Sequence, residues 1–456
     1  MNCIPDAYAS YISEKGAIPY YEWLRTESAG ELLTADGRIY SRDSHETGIN
    51  NNVCVVGGSG TGKSSVIGYM NILRSNASCI ISDPKGGLYR DLSGLLAQSG
   101  YNVAVLDFTH PERSCGYNPM AYINTRDDAR MLADTLISSA YHNSSPSDPY
   151  WVMSSKQLLQ AMIIYHMKTQ LDPAKRSLAA VLGLIKSIRI ADDSWDSPQY
   201  GFFADLEDYC RRMSDYSAKK EFAAFEGLGE KTFSCIISTA TSALEPFCGD
   251  GTMAIMSRPT ISFRELAHKK TAVFVIVSDT DRSSDLVANT FYWQAMNLLC
   301  DHADNQCLNG KLPTPVAFFL DDFSTNCCIN NFENIISNIR ARNISATIMF
   351  QSIGQLENAY GKSAGTILNN CDTTIYMGGN SISDANYFAR LVNKPVDRIL
   401  SMKLFTSWII RRGEKARLVN NVIPSEWLKA EKSLISESAD KLSADNDEIE
   451  DIIEDR

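Results

Sequence analysis

Gly57, Gly58, Ser59, Gly60, Thr61, Gly62, Lys63 and Ser64 fit the spacing G-x-x-x-x-G-K-[ST], and their types suit one kind of chemistry. Glycines let the backbone turn so that successive N–H groups converge on phosphate oxygens. A helix opening at Ser65 would add the positive end of its dipole. Lys63 is then the candidate cation for the β- and γ-phosphates, and the Ser64 hydroxyl the candidate Mg²⁺ ligand. The pattern matters only where a strand precedes it and a helix follows. Asn52–Val56 is a short β-branched run, so that context is expected here.

A phosphate cradle of this kind needs a second acidic element to hold Mg²⁺ and orient an attacking water. Phe318-Phe-Leu-Asp321-Asp322 has the required form, an apolar strand ending in two carboxylates. Asp321 is the expected metal-side residue and Asp322 the candidate base. Strand-end aspartates also serve as helix caps, and it is the pairing with the phosphate loop that favours catalysis. The cofactors expected on these grounds are ATP and Mg²⁺.

The surrounding pattern must place the loop and the carboxylates at one sheet edge. Asn52–Val56, Cys79–Ser82 and Val103–Leu106 are strand-like runs separated by helical or turn stretches, as in a parallel α/β sheet. Strands are expected again at 271–277, 315–320, 346–350 and 373–377, with helices near 284–302, 331–341 and 383–393. Between them, segments such as Asp128–Ile137 and Lys156–Tyr165 carry apolar residues at helical spacing with hardly a strand candidate. The expected organisation is a lead-in over 1–50, a nucleotide-binding α/β domain formed by 51–124 and 260–430, an all-α insertion over 125–259, and an acidic tail over 431–456.

Composition narrows the function classes. With 456 residues, 44% hydrophobic and 21% charged, the chain reads as ordinary folded protein. Its apolar runs are far shorter than the roughly 20 residues of a membrane-crossing helix. The first twenty residues contain Asp6 and Glu14 and do not resemble a secretory leader, so a cytoplasmic location is expected. Twelve cysteines include no C-x-x-C pair, and six histidines no H-E-x-x-H, so reduced thiols and no transition-metal site are expected. A net charge of −11 argues against a protein that coats duplex nucleic acid, so any DNA contact must be local. Much of the negative excess sits in Ala444–Arg456, readable as a solvated end or a partner-binding tail.

Beyond the phosphate loop, Ser82-Asp-Pro-Lys-Gly86, Gly116-Tyr-Asn-Pro119 and Ser147-Asp-Pro-Tyr-Trp151 follow in order. Asp321-Asp-Phe323, Ile339-Arg-Ala-Arg-Asn-Ile344, Phe350-Gln-Ser352 and Gln355-Leu-Glu-Asn-Ala-Tyr-Gly361 complete a series that resembles the VirD4/TraG type IV coupling proteins, over about residues 40 to 425. The resemblance implies a RecA-like P-loop motor domain that forms a homo-oligomeric ring, usually hexameric, with ATP between neighbours. It implies recruitment of relaxase-bound single-stranded DNA and its delivery through a central channel to a type IV secretion system, with the all-α insertion resembling the substrate-recognition part. Motif order adds Gln351 as a polar γ-phosphate sensor and Arg340 as the candidate arginine finger reaching a neighbour's nucleotide. Arg340 and Arg342 read equally as a solvated helix face.

The chain departs from the family pattern at three points. Asp322 stands where the family usually has Glu, and Gly87 where Glu usually follows the Asp-Pro-Lys-Gly element. Family members usually begin with transmembrane helices and none is read here, which leaves a soluble paralogue, a membrane part removed from this chain, or one on a separate membrane-anchoring partner that recruits it to the cytoplasmic face of the membrane. Three readings stay open: a DNA-pumping ATPase, an ATP-gated adaptor with little turnover, and a motor for protein or phage DNA.

Overall fold

The computed structural model describes residues 32–421, apart from 36–37, 43, 142–148, 189–201, 226–227 and 326. Most of the expected lead-in, the acidic tail and the Ser147-Asp148 half of one motif lie outside the described residues.

A small antiparallel pair, β1 (Leu32–Leu33) and β2 (Ile39–Tyr40), precedes the main sheet. The sheet then takes, in chain order, β3 (Val53–Val56), β4 (Ser78–Ser82), β5 (Asn102–Asp107), β6 (Thr271–Ile276) and β7 (Val316–Leu320). It continues with β8 (Ile344–Phe350), β9 (Thr373–Tyr376), β10 (Thr406–Arg411) and β11 (Arg417–Asn420). Their spatial order is β11-β10-β9-β3-β8-β7-β4-β6-β5. From β9 to β5 every pairing is parallel; β10 and β11 add antiparallel strands at one edge. Fold class and the main strands agree with the sequence reading, whereas the β10–β11 hairpin was not anticipated.

Burial on both faces explains why the central strands read as continuous apolar runs. Along β3, Cys54 and Val56 pack into one large core with Phe318, Phe350 and the helix Asp285–Gln306. Val53 and Val55 face the other way, against Ile67, Met349 and Ile375. On that second side Cys79 and Ile81 join Leu92, Leu96 and Phe274 in a further cluster under the helix Gly87–Gln98.

Between β5 and β6 the described chain makes helices and turns but no strand. The longest helices, Arg126–Ala140, Pro149–Thr169 and Glu230–Leu244, bury Leu132, Leu158, Met162 and Ile236 in a core of their own. Thr125 starts the first of them with a capping box, its hydroxyl accepting from Asp128 N–H while Asp128 reaches back to the Thr125 amide. The chain leaves and re-enters the sheet side by side: Gly116 C=O accepts from Thr260 and Ile261 N–H at 3.0 and 3.3 Å, and Gly116 N–H donates to Thr260 Oγ1 at 2.9 Å.

Candidate nucleotide site

The phosphate loop leaves β3 at Gly57, whose N–H donates to the Phe350 carbonyl that ends β8 (3.2 Å). Gly58 N–H donates to the Gly378 carbonyl just after β9 (2.9 Å), so both neighbouring strands brace the loop. A Cβ on Gly57 would lie 2.9 Å from Met377 Cβ, and Gly62 sits at φ 92, which is why these positions need glycine. The following helix opens with a π-helical stretch, Lys63–Tyr69, and closes with one α-helical turn, Met70–Leu73. Ser65 stands in its first turn with Oγ facing the Gly62 carbonyl (3.4 Å). Ser59 and Gly60 form the exposed tip, and Thr61 Oγ1 donates to Gly58 C=O at 2.9 Å.

Lys63 is buried, and its Nζ donates to the carbonyls of Gly57 (2.6 Å) and Gly58 (3.1 Å). Burial holds its pKa below the ordinary lysine value, while the charges of Asp321 and Asp322 oppose that shift. The ammonium is thus parked on the rim of its own loop, within a side chain's swing of anything placed there.

Asp321 directly follows β7 next to this loop and accepts a hydrogen bond from the Ser64 hydroxyl, across 257 residues of sequence. Its other oxygen accepts Asp322 N–H at 2.9 Å. Burial pushes the Asp321 pKa up; the Ser64 hydroxyl counteracts it. Asp322 is half-buried at φ 48, a left-handed conformation that aspartate tolerates better than longer side chains. Phe323 fixes the turn, its N–H donating to Met349 C=O and its ring stacking on Tyr360 with centroids 5.4 Å apart.

Gln351 directly follows the Phe350 carbonyl that Gly57 uses, so it stands beside the loop with an exposed side chain. Arg340 lies elsewhere. It sits in a 3-10 turn, Ile339–Arg342, rather than in the helix itself, which ends at Asn338. That turn precedes β8, so all seven residues of the strand, roughly 20 Å, separate Arg340 from the loop of its own subunit. The Arg340 guanidinium is exposed and donates to Ser44 C=O at 3.2 Å. Arg342 is engaged by both carboxylate oxygens of Asp304, at 2.8 and 2.7 Å.

The sequence reading did not assign roles to two features at this edge. Asp83, directly after β4, accepts Leu88 and Tyr89 N–H at 3.1 and 2.7 Å, and burial raises its pKa to about 6. Lys85, exposed and at φ 79, pairs with Asp279 after β6 at 2.8 Å. The Ser82-Asp-Pro-Lys-Gly86 run was visible, but its closeness to Asp279 is a product of sheet order alone.

The description "Type IV secretory system Conjugative DNA transfer" belongs to a family model that matches residues 8–395. The conjugal transfer protein TraG of Rhizobium radiobacter is 22% identical over 314 residues, covering 67% of this chain and 46% of TraG. The chain therefore spans less than half the length of that relative. The plasmid coupling protein TrwB, solved in complex with the ATP analogue ADPNP, superposes with a TM-score of 0.63 at 15% identity over 89% of this chain and 92% of TrwB. The same protein in complex with ADP and Mg²⁺ gives 0.61 at 14% identity, over 89% and 93%. At such identities the likeness speaks to the fold alone, a mostly parallel sheet with helices on its faces. With the family model spanning most of the sequence, the chain belongs to the type IV secretory system conjugative DNA transfer family.

Proposed function

We propose that this chain is an ATP-hydrolysing coupling protein that recruits relaxase-bound single-stranded DNA and delivers it to a type IV secretion channel. The observation that carries the reading is the contact of Ser64 with Asp321 beside Lys63. These are two hard oxygen ligands and one cation at the end of a parallel sheet, a donor set that suits Mg²⁺ and a triphosphate. Mg²⁺ bound there would neutralise charge on the β- and γ-phosphates.

With nucleotide and Mg²⁺ bound, Lys63 would serve the phosphate oxygens in place of its two carbonyl partners, and the Ser64 hydroxyl would help hold the metal. Asp321 would hold the metal with Ser64, while Asp322 would orient the attacking water and Gln351 would sense the γ-phosphate. Arg340 acts on a neighbour's nucleotide, in a ring of six by analogy with the family. Among the described residues no helix is long and apolar enough to cross a membrane. We place the protein at the cytoplasmic face of the membrane, in contact with the secretion components.

Steady-state hydrolysis with and without single-stranded DNA, on wild type and Lys63→Ala, tests the proposal. Wild type should turn over and be accelerated by DNA, while Lys63→Ala should lose nucleotide binding and turnover together. Tight ATP binding with negligible, DNA-indifferent turnover would replace this reading with that of an ATP-gated adaptor. The aspartate in place of glutamate, one methylene shorter, is what favours that second reading.

A further inference from the structure

Exposed apolar side chains gather at the phosphate-loop end of the sheet, on the side away from the carboxylates. Leu404 is 84% exposed, Ile382 67% and Phe405 55%. Ile382 begins the helix Ile382–Val392, which follows the Met377–Asn380 segment that braces the phosphate loop. Leu404 and Phe405 immediately precede β10. That strand is antiparallel to β9, with Trp408 opposite Tyr376, so at this register Phe405 runs level with Gly379. Gly379 in turn backs onto Gly58, its Cα 3.7 Å from where a Gly58 Cβ would be.

Phe405 is also conformationally unusual. It holds φ 59, the left-handed region that aromatic residues rarely enter, and such outliers concentrate where a side chain must be presented to a ligand. The turn is pinned on both sides: Phe405 C=O accepts Asn421 N–H at 2.7 Å, and Thr406 Oγ1 donates to Lys403 C=O at 2.6 Å. The chain thus keeps a strained, solvent-facing ring at a fixed height above the sheet.

Strand order says what could meet it. β7 with Asp321 and β8 lie on one side of β3, while β9 and β10 lie on the other. With its terminal phosphates between Lys63 and Asp321, a nucleotide that runs away from β7 carries its ribose and base over β9 toward β10. Two strand spacings, roughly 10 Å, separate β3 from β10, a span within reach of a nucleoside triphosphate. We propose that Phe405, with Leu404 and Ile382, forms the subsite that receives the base of the bound nucleotide, by stacking and apolar contact. This rests on the phosphate-loop reading above and adds to it the half of the ligand that the loop does not touch.

Calorimetric titrations of ATP and of inorganic tripolyphosphate, each with Mg²⁺, test it on wild type, Phe405→Gly, Phe405→Trp and Lys63→Ala. Glycine suits φ 59, so Phe405→Gly removes the ring without straining the turn. Loss of the stacking partner should weaken ATP roughly tenfold or more, leave tripolyphosphate unchanged, and be rescued by Phe405→Trp. Lys63→Ala should weaken both ligands. Unchanged ATP affinity in Phe405→Gly, or equal weakening of both ligands, overturns the base subsite. So does a Phe405→Gly protein whose only change is its sedimentation without nucleotide, which would assign the patch to contact between copies. If wild type binds neither ligand, the phosphate-loop reading itself fails.

Discussion

Gly116→Ala should be among the most damaging single-methyl additions this fold can receive. A Cβ at Gly116 would lie 1.3 Å from the Arg258 carbonyl oxygen, 2.1 Å from its carbon and 2.9 Å from Ile255 O. Ordinary contact begins near 3.4 Å, so the two segments must part by about 2 Å (3.4 − 1.3). These segments are where the helical excursion leaves and rejoins the sheet, and three hydrogen bonds tie them together. Losing those bonds costs about 1 kcal/mol each. Overpacking against backbone, which cannot swing aside as a side chain can, adds about 1–3 kcal/mol more. The sum of ~4–6 kcal/mol should lower Tm by roughly 5 °C or more, taking ~2.1 cal/mol/K per residue as the unfolding entropy. Gly94→Ala is the matched control, since nothing lies within 4 Å of its Cβ position in the helix Gly87–Gln98. It should be neutral or stabilising by about 0.5–1 kcal/mol. Circular dichroism melts of both variants check the pair, and a Gly116→Ala Tm within about 1 °C of wild type would refute the reasoning.

Asp322→Glu should raise ATP turnover, because the longer arm improves water positioning to which near-attack geometry is sensitive. It should also lower Tm slightly, since φ 48 suits aspartate better than glutamate; slower turnover would show a site adapted to the short side chain. Asp321→Asn should spare nucleotide affinity more than hydrolysis, as the carboxylate acts mainly through the metal, and equal loss of both in titration and turnover would assign it a structural role. The Asp83 pKa is raised from the 3.8 of a free aspartate to about 6, so its contribution to stability is complete below 3.8 and is lost as pH rises through about 6. At 1.36 kcal/mol per pH unit the loss approaches ~3 kcal/mol. Denaturant melts without Mg²⁺ should therefore show Asp83→Asn with a flatter profile between pH 4 and 6; an unchanged profile would refute it. Mixing Arg340→Ala subunits with Lys63→Ala subunits should restore hydrolysis that neither shows alone, and proven mixed rings that recover nothing would dismiss Arg340 as a finger acting in trans.

The phosphate loop was legible because its chemistry is carried by consecutive residues. Backbone N–H groups, one cation and one hydroxyl need only local spacing, and glycine marks where φ turns positive. Asp321 was legible as the end of an apolar run, although its meeting with Ser64 depends on β8 lying between β3 and β7. The β10–β11 hairpin escaped because its apolar core is only Trp408, Ile409 and Ile410, followed by Arg411, Arg412 and a turn at Gly413. Edge strands are half-solvated, and Arg417-Leu-Val-Asn420 offers just two adjacent apolar residues with no alternation to separate it from a loop. Nor could composition reveal the π-helical opening after Lys63, since that is a choice among hydrogen-bond registers open to the same side chains.

The position of Arg340 carries a constraint that motif order alone did not. Within one subunit the phosphate loop and Arg340 stand at opposite ends of β8, and no rotamer of a single arginine spans that strand. A role for Arg340 in hydrolysis is therefore possible only across an interface that brings the start of one subunit's β8 to the loop of the next. Arg342 is the poorer donor to such a contact, because a bidentate pairing with Asp304 would have to break first, whereas among the described residues Arg340 gives up one carbonyl partner. On the proposed reading, a subunit built this way would bind nucleotide alone yet lack the charge that stabilises the leaving phosphoryl group. If Arg340 acts as proposed, turnover would depend on assembly, and a free subunit would stay idle.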